Sequence, residues 1–199
     1  MKKAAILVFT LIIIPFLGYT QNIDYISPFH NDVAAIKKGD QWAFINTEGD
    51  ILVAFRNDLV LTNVNSKSYP IFKKERCLIT YKKEGISYYG YIDKSGKTII
   101  EPQFLNATNF DFDFAIALEL MKEDIGKNKL NINVYYYKYF EVLIDTNGKI
   151  TKYLDPDNAT YIALDKSSLI KAPSITSKLL SNTIFATLGK TKKWTIQKI

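Results

Sequence analysis

The stretch Tyr89-Gly90-Tyr91-Ile92-Asp93-Lys94-Ser95-Gly96-Lys97 constrains this chain more than any other. Side chains alternate from Tyr89 to Asp93 as a strand requires. Asp93 to Gly96 then reads as a turn. An aspartate at the first turn position accepts a backbone N–H two residues on, and a glycine at the fourth takes a left-handed conformation at no steric cost. Lys97 to Glu101 runs back, so the stretch is a β-hairpin. The same turn recurs as Asn46-Thr47-Glu48-Gly49 and as Asp145-Thr146-Asn147-Gly148. Trp42 lies 47 residues before Tyr89, and Asp145 lies 52 after Asp93, offsets of the size that a repeat array produces.

Four units follow from this spacing, at about residues 29–75, 76–109, 110–181 and 182–199. Ahead of them, Gln21 to Phe29 is a lead-in with one edge strand at Ile23 to Ile26. In the first unit Val33 to Lys38, Gln41 to Ile45 and Asp50 to Phe55 are strands, joined by Gly39-Asp40 and by the Asn46 turn. Arg56 to Lys74 is a connection whose Leu59, Leu61, Val64 and Ile71 cover an end of the core. The second unit opens at Arg76 to Tyr81 and runs to Phe104; Pro102 is expected to end its ladder, since it cannot donate a hydrogen bond. The third opens with a strand from Phe110 to Leu118, carries a charged insertion at Met121 to Asn131 and returns from Ile132 to Asp145. A short helix competes only at Ser167 to Leu180, with Ser174 as N-cap. The fourth unit is Thr183 to Leu188, a turn at Gly189 to Lys192, and Lys193 to Ile196. The pattern predicts an all-β protein: an array of antiparallel β-hairpin or three-strand units in one elongated or curved domain, each unit covering its neighbour's apolar face. A blade-like or closed barrel arrangement is the alternative.

Residues 1–20 read as a secretory signal. Lys2 and Lys3 give the basic start, Ala4 to Ile14 the apolar core, and Gly18 and Thr20 the small residues a signal peptidase needs. The apolar run breaks at Pro15, short of the ~20 residues of a spanning helix. No transmembrane anchor is expected after cleavage, and the protein is expected to be secreted or periplasmic. Losing Lys2 and Lys3 takes the formal charge from +6 to +4. The basic residues are scattered, which argues against a nucleic-acid partner. Cys77 is the only cysteine, so an internal disulfide is excluded and stability rests on packing.

The central copy, Tyr89 to Lys97 followed by Ile100-Glu101-Pro102-Gln103-Phe104, resembles a WG repeat. WG copies typically place Trp-Gly where this chain has Tyr89-Gly90, then an apolar or aromatic residue, Ile, Asp, a short turn with Gly, and a Pro-rich end to the third strand. Phe110 to Leu118 resembles the phenylalanine and small-residue strand that opens the next copy. The other copies depart from the pattern: Trp42-Ala43 and Trp194-Thr195 lack the glycine, and Glu141-Val142 lacks both residues. The resemblance covers most of Asp32 to Ile199. It implies a non-catalytic array of β-hairpins, often found on exported bacterial proteins, with no cofactor and no established ligand.

Candidate chemistry is sparse. His30 is the only histidine and has no partner for a zinc site or a Cys/His dyad. Cys77 alternates with Ile79 and Tyr81, the pattern of a small buried residue. Asp111 and Asp113, read within a strand, share one face as an acid/base pair or metal site would require, but an acidic face turned to water explains them as well. Asp155-Pro156-Asp157-Asn158 lacks the ligand spacing of a calcium loop and reads as a turn. Asn106-Ala107-Thr108 and Asn158-Ala159-Thr160 are glycosylation sequons, meaningful only in a eukaryotic secretory route. The strongest surface candidate is Tyr135, Tyr137 and Tyr139, which share one face of a strand and offer flat apolar area to sugar rings or a partner protein. Packing on both sides of a central strand accounts for the same pattern.

The expected function is therefore an exported, non-catalytic interaction module, bound to a protein or an envelope polymer. The alternatives are a glycan binder using the tyrosine row and a carboxylate-dependent hydrolase. Trp194 begins a hairpin whose return strand is missing. Its strand is expected either to pair with Ile23 to Ile26 or to stay open, with Lys190, Lys192, Lys193 and Lys198 guarding the edge and the protein a monomer.

Overall fold

The computed structural model describes residues 22–155, 160–162, 169–189 and 191–199. The leader at 1–20, most of the Asp155 to Asn158 turn and the acceptor Asn158 lie outside them. β1 (Tyr25–Ile26), β2 (Ala34–Lys38), β3 (Gln41–Ile45) and β4 (Ile51–Arg56) form one antiparallel sheet in that order. The hairpin of β5 (Thr62–Val64) and β6 (Lys67–Tyr69) fills the connection. β7 (Cys77–Lys83), β8 (Ile86–Ile92) and β9 (Thr98–Phe104) form the second sheet. The third is β10 (Phe114–Lys127), β11 (Asn133–Asp145) and β12 (Ile150–Tyr153), with β13 (Thr160–Ile162) paired to β11. β14 (Lys178–Leu179), β15 (Ile184–Leu188) and β16 (Trp194–Lys198) form the last. The protein is all-β, and none of these sheets closes into a barrel.

The repeated turn forms as its residues dictate. The Asp93 Oδ1 accepts the N–H groups of Ser95 at 2.9 Å and Lys97 at 3.1 Å, and Gly96 sits at φ 82°. The oxygens of Asn46 and Asp145 hold the same two positions in their own turns. A second repeated turn precedes each of the first three meanders. His30 and Val33, Lys73 and Arg76, and Asp111 and Phe114 exchange backbone hydrogen bonds around left-handed residues such as Asn31, Glu75 and Phe112. One phenylalanine stands before each turn: Phe29, Phe72 and Phe110.

Register then decides which way each side chain faces. Cys77 and Ile79 of β7, with Ile92 of β8, join Ala35, Trp42, Phe44 and Val53 in a core between the first and second sheets. Leu78, Tyr91 and Ile100 face the other way, onto Ala115, Ala117, Val142 and Ile144 of the third sheet. Ile116 and Leu143 pass the pattern on to Phe185 of the fourth. The sheets thus stack in chain order, the second and third each sharing one face with the sheet before and the other with the sheet after. Burying each large side chain in these layers stabilises by roughly 1.5–3 kcal/mol.

Neighbouring sheets are also tied by the backbone. After β4 the chain lies along the opening strand of the next sheet, with Val60 N–H on the Leu78 carbonyl at 3.0 Å. After β9 it does so again, with Leu105 N–H on Leu118 at 2.9 Å. β1 on β2 and β14 on β15 occupy the equivalent edges.

Several expectations need correction. The third unit's strand begins at Phe114, so Asp111 and Asp113 lie in a turn instead of sharing a strand face. Met121 to Asn131 is no insertion, because β10 continues through it to Lys127 and pairs with β11 as one long hairpin. Pro102 does not end its ladder: Tyr89 opposes Phe104 and Tyr91 opposes Ile100, so Glu101 to Gln103 bulge out and Pro102 needs no partner for a donor. The described part of Ser167 to Leu180 holds no α-helix, and Ser174 caps none. Its course is set by Glu141, whose carboxylate accepts Thr176 N–H at 2.6 Å and Ser177 N–H at 2.9 Å. Ile26 pairs with β2, so it does not cover β16, and Trp194 is half-exposed.

Candidate functional site

Two regions collect exposed aromatic and charged groups. The first is a cleft of about 730 Å³ between β4 and the second sheet, lined by Phe55, Arg56, Asp58, Tyr81, Glu101 and Pro102 among others. Its lining comes from β4 and β9, the edge strands of their sheets, and from β7. Arg56 and Asp58, two apart in an extended segment, point the same way and form a bidentate pair at 2.5 and 2.6 Å. A third guanidinium N–H reaches the Gly96 carbonyl at 3.1 Å, fixing the first sheet to the turn of the second. Hydrogen bonding to Asp58 raises the Arg56 pKa above its already high value, so the charge is permanent. Tyr81, 62% exposed, stands at the rim with the exposed Glu101. Past Tyr81 and Pro102 the surface continues into a second depression of about 320 Å³, lined by Lys83, Glu84, Tyr88 and Gln103.

Such a cleft suits an extended polypeptide. Edge strands offer backbone donors and acceptors, Tyr81 offers a flat apolar face, and Glu101 offers a carboxylate. Arg56 and Asp58 fall in the stretch from Arg56 to Lys74, which the sequence pattern marks only as a connection. The signal was there in opposite charges at i and i+2 directly after a strand.

The second region is the tyrosine row. Tyr137 and Tyr139 are half-buried against a cluster of Ile86, Leu105, Leu118 and Leu169. Tyr135, further out on β11, lies under the Lys122 ammonium, 3.4 Å from its ring centroid, and its hydroxyl accepts from Asn133 at 3.2 Å. The three tyrosines share a face, as the alternation requires, but the inner two spend much of their area on the core. Tyr139 also borders a recess of about 260 Å³ with Glu141, Thr176 and Ser177. Glu141 is committed there to backbone N–H groups, which accounts for a carboxylate where other copies carry an aromatic residue.

The remaining candidates are structural in their contacts. The His30 Nε2 lies 3.1 Å from the Tyr69 hydroxyl, with the two rings stacked. Cys77 is fully buried, and burial pushes its thiol far above the ordinary value. Asp113 pairs with Lys74 at 3.2 Å. Asn106 uses its side-chain amide on the Pro173 carbonyl at 2.7 Å. Among the described residues no group of three or more His, Cys, Asp or Glu side chains is placed to hold a metal ion.

The family model described as WG containing repeat matches residues 22–42 and 89–118. No curated protein and no solved structure matches the chain. The second segment contains Tyr89-Gly90 and the bulge opposite it. A Cβ at Gly90 would sit 2.6 Å from Pro102 N, so the bulge that admits the proline requires a glycine across from it. The first segment runs from β1 through the turn at His30 to Trp42, and Ile26 opposite Ile36 takes the place that Ala107 opposite Ala117 takes after β9.

Proposed function

We propose that this WG-repeat-bearing protein is an exported, non-catalytic interaction module, and that the cleft between its first two sheets holds an extended segment of a partner. The observation that supports this most is an open cleft lined by two edge strands, β4 and β9, together with Tyr81 and Glu101. Arg56, already engaged by Asp58 and Gly96, serves to keep the cleft's walls in place.

Export is tested by expressing the chain with its own leader and sequencing the N-terminus of the released protein, which is expected to begin near Gln21. Binding is tested on peptide and glycan arrays. Retention on extended peptides that disappears in Tyr81→Ala and Glu101→Lys supports the cleft. Retention on glycans that disappears in Tyr135→Ala/Tyr137→Ala would replace it with the tyrosine row. Turnover of any polysaccharide, abolished by Asp111→Asn, would overturn the non-catalytic reading.

A further inference from the structure

One contact is made twice inside this chain. Phe72, ahead of the second sheet, lies on Phe44 of β3 with ring centroids 4.6 Å apart. Phe110, ahead of the third, lies on Tyr91 of β8 at 4.8 Å. Phe44 and Tyr91 are equivalent positions on their units' second strands, and both are fully buried. On β16 the equivalent position is Ile196, which is 66% exposed, and Trp194, the counterpart of Trp42 and Tyr89, is 46% exposed. The Lys178 ammonium lies 4.9 Å from the Trp194 ring centroid. At the other end of the stack Phe29, the counterpart of Phe72 and Phe110, is 49% exposed, with Ile26 and Ile51 exposed on the same sheet.

The two surfaces are complementary in charge. Residues 178–199 include five lysines and no aspartate or glutamate. The turns and edges of the first sheet carry Asp24, Asp32, Asp40, Glu48 and Asp50, all exposed. Opposite rims around apolar centres steer two faces together and disfavour like faces meeting.

We propose that the outer face of the last sheet, centred on Trp194 and Ile196, receives the outer face of the first sheet, centred on Phe29, of a second copy of this chain. Phe29 of one copy then lies on Ile196 of the other as Phe72 lies on Phe44, and the stack continues across the boundary. The contact is heterologous: each copy keeps one unused face of the opposite kind, so association propagates head to tail. This supplies a partner beyond the cleft reading and does not depend on it.

The test uses the chain with and without residues 1–20, followed by sedimentation velocity over a concentration series. Without the leader, the weight-average mass is expected to rise with concentration to at least twice that of a single chain. Ile196→Glu and Phe29→Glu are each expected to stay at single-chain mass. Mixed together they are expected to form a one-to-one dimer, because each retains the face the other lacks. Both side chains are exposed, so circular dichroism should be unchanged; should Ile196→Glu fail to fold, Trp194→Lys carries the same expectation. A chain that stays single at every concentration overturns the proposal. So does self-association that survives in either variant alone, or a mixture that stays monomeric. Tyr81→Ala leaves this association intact, which separates it from the cleft.

Discussion

At the scale of single residues, two glycines with the same side chain are held for different reasons, and their substitutions separate those reasons. Gly96 is needed for its left-handed φ, since a Cβ there meets Val53 at an ordinary 3.4 Å. Gly96→Val is expected to cost ~1 kcal/mol or more. Gly90 is needed for lack of room against the backbone of Ile100 and Pro102, which cannot swing aside. Gly90→Ala is expected to cost roughly 3 kcal/mol or more, the larger loss despite the smaller residue. Urea denaturation of the two variants gives the order directly; equal losses would contradict it. Asp93 offers a pH test. Hydrogen bonds from Ser95 and Lys97 lower its pKa, so its contribution is complete above the ordinary aspartate value of ~3.9 and is lost as pH falls through the lowered one. Asn46 shows that an asparagine fills the same place. Asp93→Asn should therefore leave the melting temperature near neutrality almost unchanged and flatten its fall in acid.

At the scale of elements, strands and turns with local chemistry were legible and those set by distant partners were not. Asp93 to Gly96 could be read because four consecutive residues hold the whole turn. The turn at Asp111 to Phe114 was hidden because Phe112, at φ 52°, is a residue type that rarely adopts that conformation, and Phe-Asp alternation imitates a strand. The outer half of β10 was hidden by its charges, which are tolerated where the long hairpin runs past its neighbours into water. Arg56 and Asp58 were hidden because the role of that pair depends on the Gly96 carbonyl, 40 residues away. The segment before β14 follows the same logic, since a Glu141 carboxylate replaces a helix cap as its organiser. Glu141→Ala should free Thr176 and Ser177, seen as faster amide exchange there with the second sheet unaffected, and should destabilise by ~1–3 kcal/mol. Unchanged exchange at these amides would mean that the pairing of β14 with β15 alone holds the segment.

At the scale of the whole molecule, stability is divided among layers, each shared by two adjoining sheets. Cys77 reports on one of them, because it lies in the core between the first and second sheets with Trp42 and Phe44. A thiol reagent should reach it only as that layer opens, so the urea dependence of labelling should coincide with the loss of Trp42 burial measured by fluorescence; rapid labelling in native buffer would contradict this. Nearly every strand pairing described here joins strands that are neighbours in sequence. A ring or barrel must wait for its first and last strands to meet, but in this arrangement each sheet can be completed soon after its own residues are available. Loop-closure entropy is then lost in small steps, and folding is expected to be fast and sequential. A chain delivered N-terminus first through a narrow channel could assemble in the order of its emergence, with little unpaired strand exposed at any moment.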